Sequence, residues 1–232
     1  MKNKDYNILY KYPTRERPQQ FLENLTALCR KISDRGNSFI QVDLDDTDIK
    51  NYPAYLDATI DTCMEYGIAW AVKRQNNTSK VEAINSELFF YEFDICVLMS
   101  DDMVCQVIGF DDIIRQHMRG EFPDTDGALW FHDGDKNTKD KLCTMVIAGR
   151  KYLERFGYIY HPSYKSLFPD DEFTRVGLYL KKLYRSGIIL FRHEHYMNNA
   201  FLKPDELMKR NQSFYGVDRA NFIKRLSANF PK

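Results

Sequence analysis

The feature that most constrains this chain is an alternation running from residue 6 to residue 99. An apolar run, a polar cluster and a helical repeat follow one another several times over. "YNILYKY" (Tyr6–Tyr12) reads as a strand stopped by Pro13. "PQQFLENLTALCRKI" then repeats Phe21, Leu25, Leu28 and Ile32 at helical spacing. "SFIQVDL" is a second strand, and "YPAYLDATIDTCMEYG" is a helix with Pro53 near its start and Gly67 just past its end. "IAWAV", the helical "KVEAINSELFF" and the strand "DICVLM" complete the series. Strands separated by helices of this length imply right-handed crossovers and a mostly parallel sheet, the α/β class.

In such sheets ligands sit outside the carboxyl ends of the strands. Polar residues gather at each of those ends: Lys11 to Arg17, Asp43 to Asp48, Arg74 to Lys80, and Ser100 to Asp102. The last is the most pointed, because "VLMSDDM" runs an apolar strand straight into two adjacent carboxylates. Ser and Asp favour turns by bonding their own backbone; a cation held at the strand end explains the pair equally. After Gly109 the pattern loosens. "FDDIIRQHM" is a short helix, "ALWFH" and "CTMVIAG" are short strands, and "RKYLERFG" is a helix closed by Gly157. "DDEFTRVGLYLKKLYRSG" reads as one longer helix with Phe173, Val176, Leu180 and Leu183 on a face, followed by a last strand, "IILFRHEHY".

The length of 232 residues suits one large domain, or one domain with an appendage. Lys plus Arg equals Asp plus Glu, 33 each, so no global field draws the protein to nucleic acid or membrane. From Phe201 onward, however, seven basic residues face three acidic ones, giving a tail of +4 on a body of −4. Cys29, Cys63, Cys96, Cys105 and Cys143 are scattered without a C-x-x-C pair, as expected of reduced thiols in a cytoplasmic protein. The start, "MKNKDYNILYKY", is too polar for a signal peptide, and no apolar run approaches membrane-spanning length.

"SDDM" at the end of the fourth strand resembles the GT-A glycosyltransferases, family 2-like, of the small phage and bacterial type. The resemblance implies a nucleotide-diphospho-sugar transferase fold: a Rossmann-like mixed sheet with helices on both faces, plus a helical tail. It divides the chain into a catalytic domain over residues 1–200 (1–109 binding nucleotide, 110–200 facing the acceptor) and a basic aromatic tail over 201–232. It implies Asp102 as ligand of a divalent cation, Mn2+ or Mg2+, with Asp101 facing the donor's ribose or sugar. Ser100 stands where the family's signature begins with aspartate, which removes one possible ligand. "KYPTRERP" is similar to the family's first loop and makes Thr14 and Arg15, then Arg17, candidates for nucleotide contact; an ordinary solvent loop with Pro18 opening the helix is the alternative. "VDLDDTD" would offer Asp43 and Asp45 to uracil or ribose, with Asp46 and Asp48 as turn formers. In "NNTSKVEAIN", Lys80 would offset diphosphate charge and Asn85 brace the loop, although a helix N-cap by Ser79 accounts for much of that stretch.

"PDDEFTRVGL" resembles the family's acidic motif below the donor sugar. A displacement at an anomeric carbon needs a carboxylate to take the acceptor's proton, and positions 170 and 171 are about 100° apart on a helix. Asp170 is therefore the first candidate base, Asp171 the second and Glu172 a supporting residue; acidic residues also favour helix starts for the dipole alone. "FRHEHYMN" places His193 and His195 on one strand face, and the resemblance implies a histidine ligand to the same metal, His195 first. Trp130 in "WFHDGDK" either stacks on a sugar or base or fills the core. The expectation is a metal-dependent, inverting transfer from a UDP-sugar to an acceptor that is a glycan, a small molecule or a modified DNA base. The rivals are a sugar-nucleotide nucleotidyltransferase, whose usual glycine-rich loop is missing from "YPTRERP", and a non-catalytic nucleotide-sugar-binding protein. The tail, with Phe214, Tyr215, Phe222 and Phe230, would meet nucleic acid by charge and stacking, pack on the domain, or join a homodimer.

Overall fold

Parallel strands cannot be joined by tight hairpins, so each crossover helix must lie on a face of the sheet. The structure, a computed structural model, describes residues 5–135, 138, 140–194 and 205–230. Four strands run parallel: β1 (Ile8–Thr14), β2 (Ser38–Asp45), β3 (Ala69–Gln75) and β4 (Ile95–Leu98). β5 (Met103–Cys105) leaves the sheet and pairs antiparallel with β9 (Phe191–His193). β6 (Ala128–Phe131), β7 (Ile147–Gly149) and β8 (Leu183–Ser186) complete the main sheet, in the order β3-β2-β1-β4-β7-β6-β8. β7 is antiparallel to both of its neighbours, so the sheet is mixed.

The alternation of side chains divides the core in two. Tyr10, Tyr12, Ile40, Val42, Ile95 and Val97 face α1 (Pro18–Lys31), α2 (Tyr52–Tyr66) and α4 (Phe110–Glu121). Leu9, Cys96, Ala128 and Ala148 face α3 (Lys80–Asn85), α5 (Arg150–Glu154) and α6 (Pro169–Tyr179). The expected α/β sheet with helices on both faces is therefore present. From β1 the chain proceeds outward to β2 and β3, and β4 then returns on the other side of β1. That reversal opens a crevice between the carboxyl ends of β1 and β4, the usual ligand position in open α/β sheets.

Several expectations need correction: β1 runs through Pro13 to Thr14, and the last strand is Phe191–His193 among the described residues. The helix read through residue 187 stops at Tyr179, and Leu183 belongs to β8, paired with Ala128. Helical spacing of apolar residues misled here because tertiary pairing with β6 claims them. Gly177 makes the return possible, since a Cβ there would lie 2.9 Å from that of Leu183. The strand read as "CTMVIAG" shrinks to Ile147–Gly149, where a Cβ on Gly149 would lie 2.1 Å from the Thr125 carbonyl oxygen. The third helix ends at Asn85, short of "SELFF".

The tail forms α7 (Glu206–Ser213) and α8 (Tyr215–Ser227). α8 packs on the domain: Asp218 is fully buried and accepts from the backbone N–H groups of Lys165, Ser166 and Leu167 at 2.8, 2.8 and 2.7 Å. Phe222 stacks on Phe168, with ring centroids 5.5 Å apart. No described helix is long and apolar enough to cross a membrane.

Candidate active site

A cleft of about 340 Å³ opens over the β1/β4 crevice. Thr14 ends β1, and its hydroxyl donates to Asp101 Oδ2 across the crevice at 2.9 Å. The Asn24 amide of α1 donates to the Asp101 carbonyl from below. The other carboxylate oxygen of Asp101, Oδ1, is buried without a hydrogen-bond partner in the structure. Burial pushes the Asp101 carboxyl up to about 8, against the opposing influences of Thr14 and Arg17.

Asp102, the next residue, behaves in the opposite way. Burial alone would raise it, but the His193 hydrogen bond and charge, with the Ser100 hydroxyl, hold it well below the usual carboxylate range. Ser100 Oγ donates to Oδ1 at 2.6 Å, and His193 Nε2 lies 3.4 Å from Oδ2. The two-stranded sheet sets this approach by placing Met103 opposite His193. The backbone completes it, with Glu194 N–H donating to the Asp102 carbonyl at 2.8 Å and His193 N–H to that of Asp133 at 2.9 Å.

The neighbouring loops supply charge. Arg15 pairs with Asp45 and donates to Thr47 Oγ1 at 2.7 Å. Burial would raise Asp45, yet the hydrogen bonds from Thr47 and Arg15 leave it below its ordinary value. Asp43 is buried and accepts from Lys11 Nζ at 2.6 Å and Gln41 Nε2 at 2.8 Å. Lys80 opens α3, whose N-cap is Ser79, accepting from Glu82 N–H at 3.2 Å. Asn85 braces the far wall: its Oδ1 accepts from Ile159 and Tyr160 N–H at 3.0 and 3.1 Å.

On that wall Asp170 sits in the first turn of α6 and lines the cleft. Burial raises its carboxyl, and Lys80 and His193 pull it back. Asp171 is half-buried and does not line the cleft; burial and the charge of Asp170 raise it to about 6.

Thr14, Arg15, Asp43, Asp45, Lys80, Asp101, Asp102 and Asp170 thus share one cavity. His195 lies outside the described residues, and His193, its neighbour on the predicted strand face, is the histidine that meets Asp102. Glu172 is held by Arg225 at 2.7 and 2.6 Å and by the Tyr164 hydroxyl at 2.8 Å. Trp130 is a core residue, 4% exposed. Sequence reasoning missed Lys11 and the α7 side chains Leu207, Met208 and Arg210, which line the cleft from the tail. The signal for Lys11 was available: it shares a strand face with Leu9, so its charge points into the core.

Among the described residues no group of three His, Cys, Asp or Glu side chains is arranged to hold a metal ion. Asp102 and His193 offer a carboxylate and an imidazole on the cleft, a donor set suited to a divalent cation completed by phosphate oxygens.

No protein-family model matches the sequence, and no curated protein matches it either. Solved structures do. A mannosyltransferase from Pyrobaculum calidifontis, in complex with GDP-Man and Mn2+, superimposes with a TM-score of 0.61 at 13% identity, over 82% of this chain and 57% of its own. TarS residues 1–349 from S. aureus gives 0.61 at 12%, over 83% and 61%. Glucosyl-3-phosphoglycerate synthase from Mycobacterium tuberculosis, with Mn2+, UDP and its product, gives 0.56 at 15%, over 98% and 81%. The fold is the GT-A fold of nucleotide-diphospho-sugar glycosyltransferases. The chain spans 57% and 61% of the length of the first two structures.

Proposed function

We propose that this protein is a metal-dependent glycosyltransferase that moves a sugar from a UDP-sugar to an acceptor hydroxyl or amine with inversion. The carrying observation is the convergence of Thr14, Asp101, Asp102, His193 and Asp170 on one cleft at the sheet's switch point. The likeness in fold to enzymes solved with UDP or GDP-Man and Mn2+ supports the donor class.

Asp102 and His193 would hold the cation, which neutralises charge developing on the departing diphosphate when bound. Thr14 and Asp101 would orient the ribose or sugar, and Arg15 and Lys80 would add positive charge beside the phosphates. Asp170 would accept the proton of the acceptor nucleophile as its lone pair attacks the anomeric carbon. The carbon–oxygen bond to the diphosphate breaks on the opposite face, so a single displacement inverts the centre. Burial favours this role, because a raised carboxyl is a stronger base once ionised.

The test is release of UDP from a panel of UDP-sugars, with and without Mn2+, against glycan, small-molecule and DNA acceptors. Metal-dependent turnover supports the proposal. Donor binding without transfer or hydrolysis would leave a nucleotide-sugar-binding protein, and formation of a nucleotide sugar from a nucleoside triphosphate would make it a nucleotidyltransferase.

A further inference from the structure

The loop that follows β6 carries a buried carboxylate, and no step above uses it. Asp133 is 5% exposed. Its Oδ2 accepts from the Thr144 hydroxyl at 2.7 Å, its Oδ1 from the Asp135 N–H at 3.0 Å, and the two oxygens share the Thr138 hydroxyl at 3.0 and 2.9 Å. All of these donors are neutral. A buried charge is costly unless a group of opposite polarity faces it as well. Two imidazoles do: His132 Nδ1 lies 3.7 Å from Oδ1, and His193 Nδ1 lies 4.0 Å from Oδ2. His132 Nδ1 already accepts the Gly134 N–H at 2.7 Å, so it shows a lone pair and has no proton to offer. His193 is the ring that can point an N–H at Asp133.

His193 thus stands between two carboxylates, with Asp102 3.4 Å from Nε2 and Asp133 4.0 Å from Nδ1. A neutral imidazole has one N–H and one lone pair, and the partner of one nitrogen decides what the other presents. A cation shared by Asp102 and His193 needs the lone pair at Nε2. The proton then belongs on Nδ1, the side that Asp133 faces. We propose that Asp133 is a positioning residue for the cation site: fixed by Thr138, Thr144 and the Asp135 N–H, it holds His193 in the Nδ1–H tautomer and so leaves the Nε2 lone pair to the cation. At 4.0 Å the contact is longer than a hydrogen bond, and what acts across it is the attraction of a buried charge for the N–H dipole. The backbone keeps the two in place, because the His193 N–H donates to the carbonyl of Asp133 itself at 2.9 Å. Thr144 also lines the cleft, so the support of Asp133 reaches the cavity wall.

The inference rests on the cleft holding a divalent cation with its donor, and the experiment separates the two. The full chain, as wild type and Asp133→Asn, is titrated calorimetrically with UDP in the presence and absence of Mn2+. The substitution keeps the volume and removes the charge. It should weaken Mn2+-dependent UDP binding by about 10–100-fold, the usual cost of losing a carboxylate behind a ligating histidine, and leave metal-free UDP binding within about twofold. Nitrogen-15 NMR of the histidine-labelled wild type, with UDP and saturating Mg2+, should show His193 as the Nδ1–H tautomer, its signals assigned by their loss in His193→Gln. A variant that only loosened the loop would weaken UDP binding alike with and without metal, and that result, or an unchanged response to Mn2+, overturns the role of Asp133. Any other state of His193 in wild type overturns it too, even if Asp133→Asn does not fold. Wild type whose UDP binding ignores Mn2+ removes the cation site itself, and the role of Asp133 with it.

Discussion

His193 Nε2 stands 3.4 Å from Asp102 Oδ2, and this approach is made by the pairing of two three-residue strands, β5 and β9. Neither strand is long enough to hold its place alone. The hydrogen bonds from His193 and Glu194 N–H to the carbonyls of Asp133 and Asp102 pin β9 at both sides of the imidazole. Asp102 lines the cleft with its carboxyl held below the usual carboxylate range by these contacts.

Asp102→Ala should abolish Mn2+-dependent UDP binding, and His193→Ala should weaken it by about 10–100-fold, the usual range for loss of a group that ligates or supports a metal. Calorimetry with UDP, with and without Mn2+, reads both. Equal binding by wild type and Asp102→Ala would end the metal assignment.

Asp170→Asn should leave UDP and Mn2+ affinity within about twofold of wild type and lower transfer by roughly 10²–10⁴, the contribution of a positioned general base. The amide keeps the volume and cannot take the proton. Donor titration and initial rates on the same preparation separate the roles, and unchanged turnover would move the base elsewhere.

The pH profile should carry the mark of Lys80. Burial raises Asp170 from its ordinary value, so the acid limb of kcat/KM, where the base must lose its proton, lies at higher pH than an ordinary aspartate would set. Lys80 is the largest influence pulling Asp170 back down, because a nearby positive charge favours the ionised form. Lys80→Met removes that charge and should move the limb to higher pH, whatever it does to the maximal rate. A limb that stays put or moves down would mean that another group sets it.

How much of this was legible depends on the reach of the pattern. The first four strands could be read because each crossover is local and each strand ends in charge, so the clusters that hold Thr14, Asp45, Lys80 and Asp102 could be placed from position, while the family resemblance singled out those residues within them. Beyond Gly109 the decisive contacts span the chain. The apolar repeat through Leu180 and Leu183 looks helical until β6 is available to pair with it. That His193 meets Asp102 follows from the register with Met103, which a strand of three residues does not announce. The Lys11–Asp43 pair was hidden differently: alternation with Leu9 turns the lysine inward, but only the register with β2 shows which carboxylate it meets. The aromatic tail admitted several partners, and Phe168 is where Phe222 goes.

Asp218 gives that tail a consequence for the reaction. Its two oxygens accept from three successive N–H groups, at Lys165, Ser166 and Leu167, in a stretch that leads through Phe168, at φ 67°, to Pro169 and Asp170. A phenylalanine in the left-handed region is strained and persists only where its surroundings fix it; here the Asp218 cradle and the Phe222 ring do so. Asp218→Ala would leave three backbone donors unpaired, that of Ser166 buried and those of Lys165 and Leu167 partly so, costing on the order of 3 kcal/mol, which is roughly 6–12 °C in Tm for a chain of this size. Because the cradle holds the stretch leading into α6, which bears Asp170, and not the Asp102–His193 pair, transfer should fall further than UDP and Mn2+ binding. Asp218→Asn, which keeps one acceptor oxygen, should recover part of both losses. Thermal melts, donor titrations and rates on the two variants check this. An unchanged Tm, or a donor affinity that falls in step with turnover, would mean that α8 does not hold the catalytic loop.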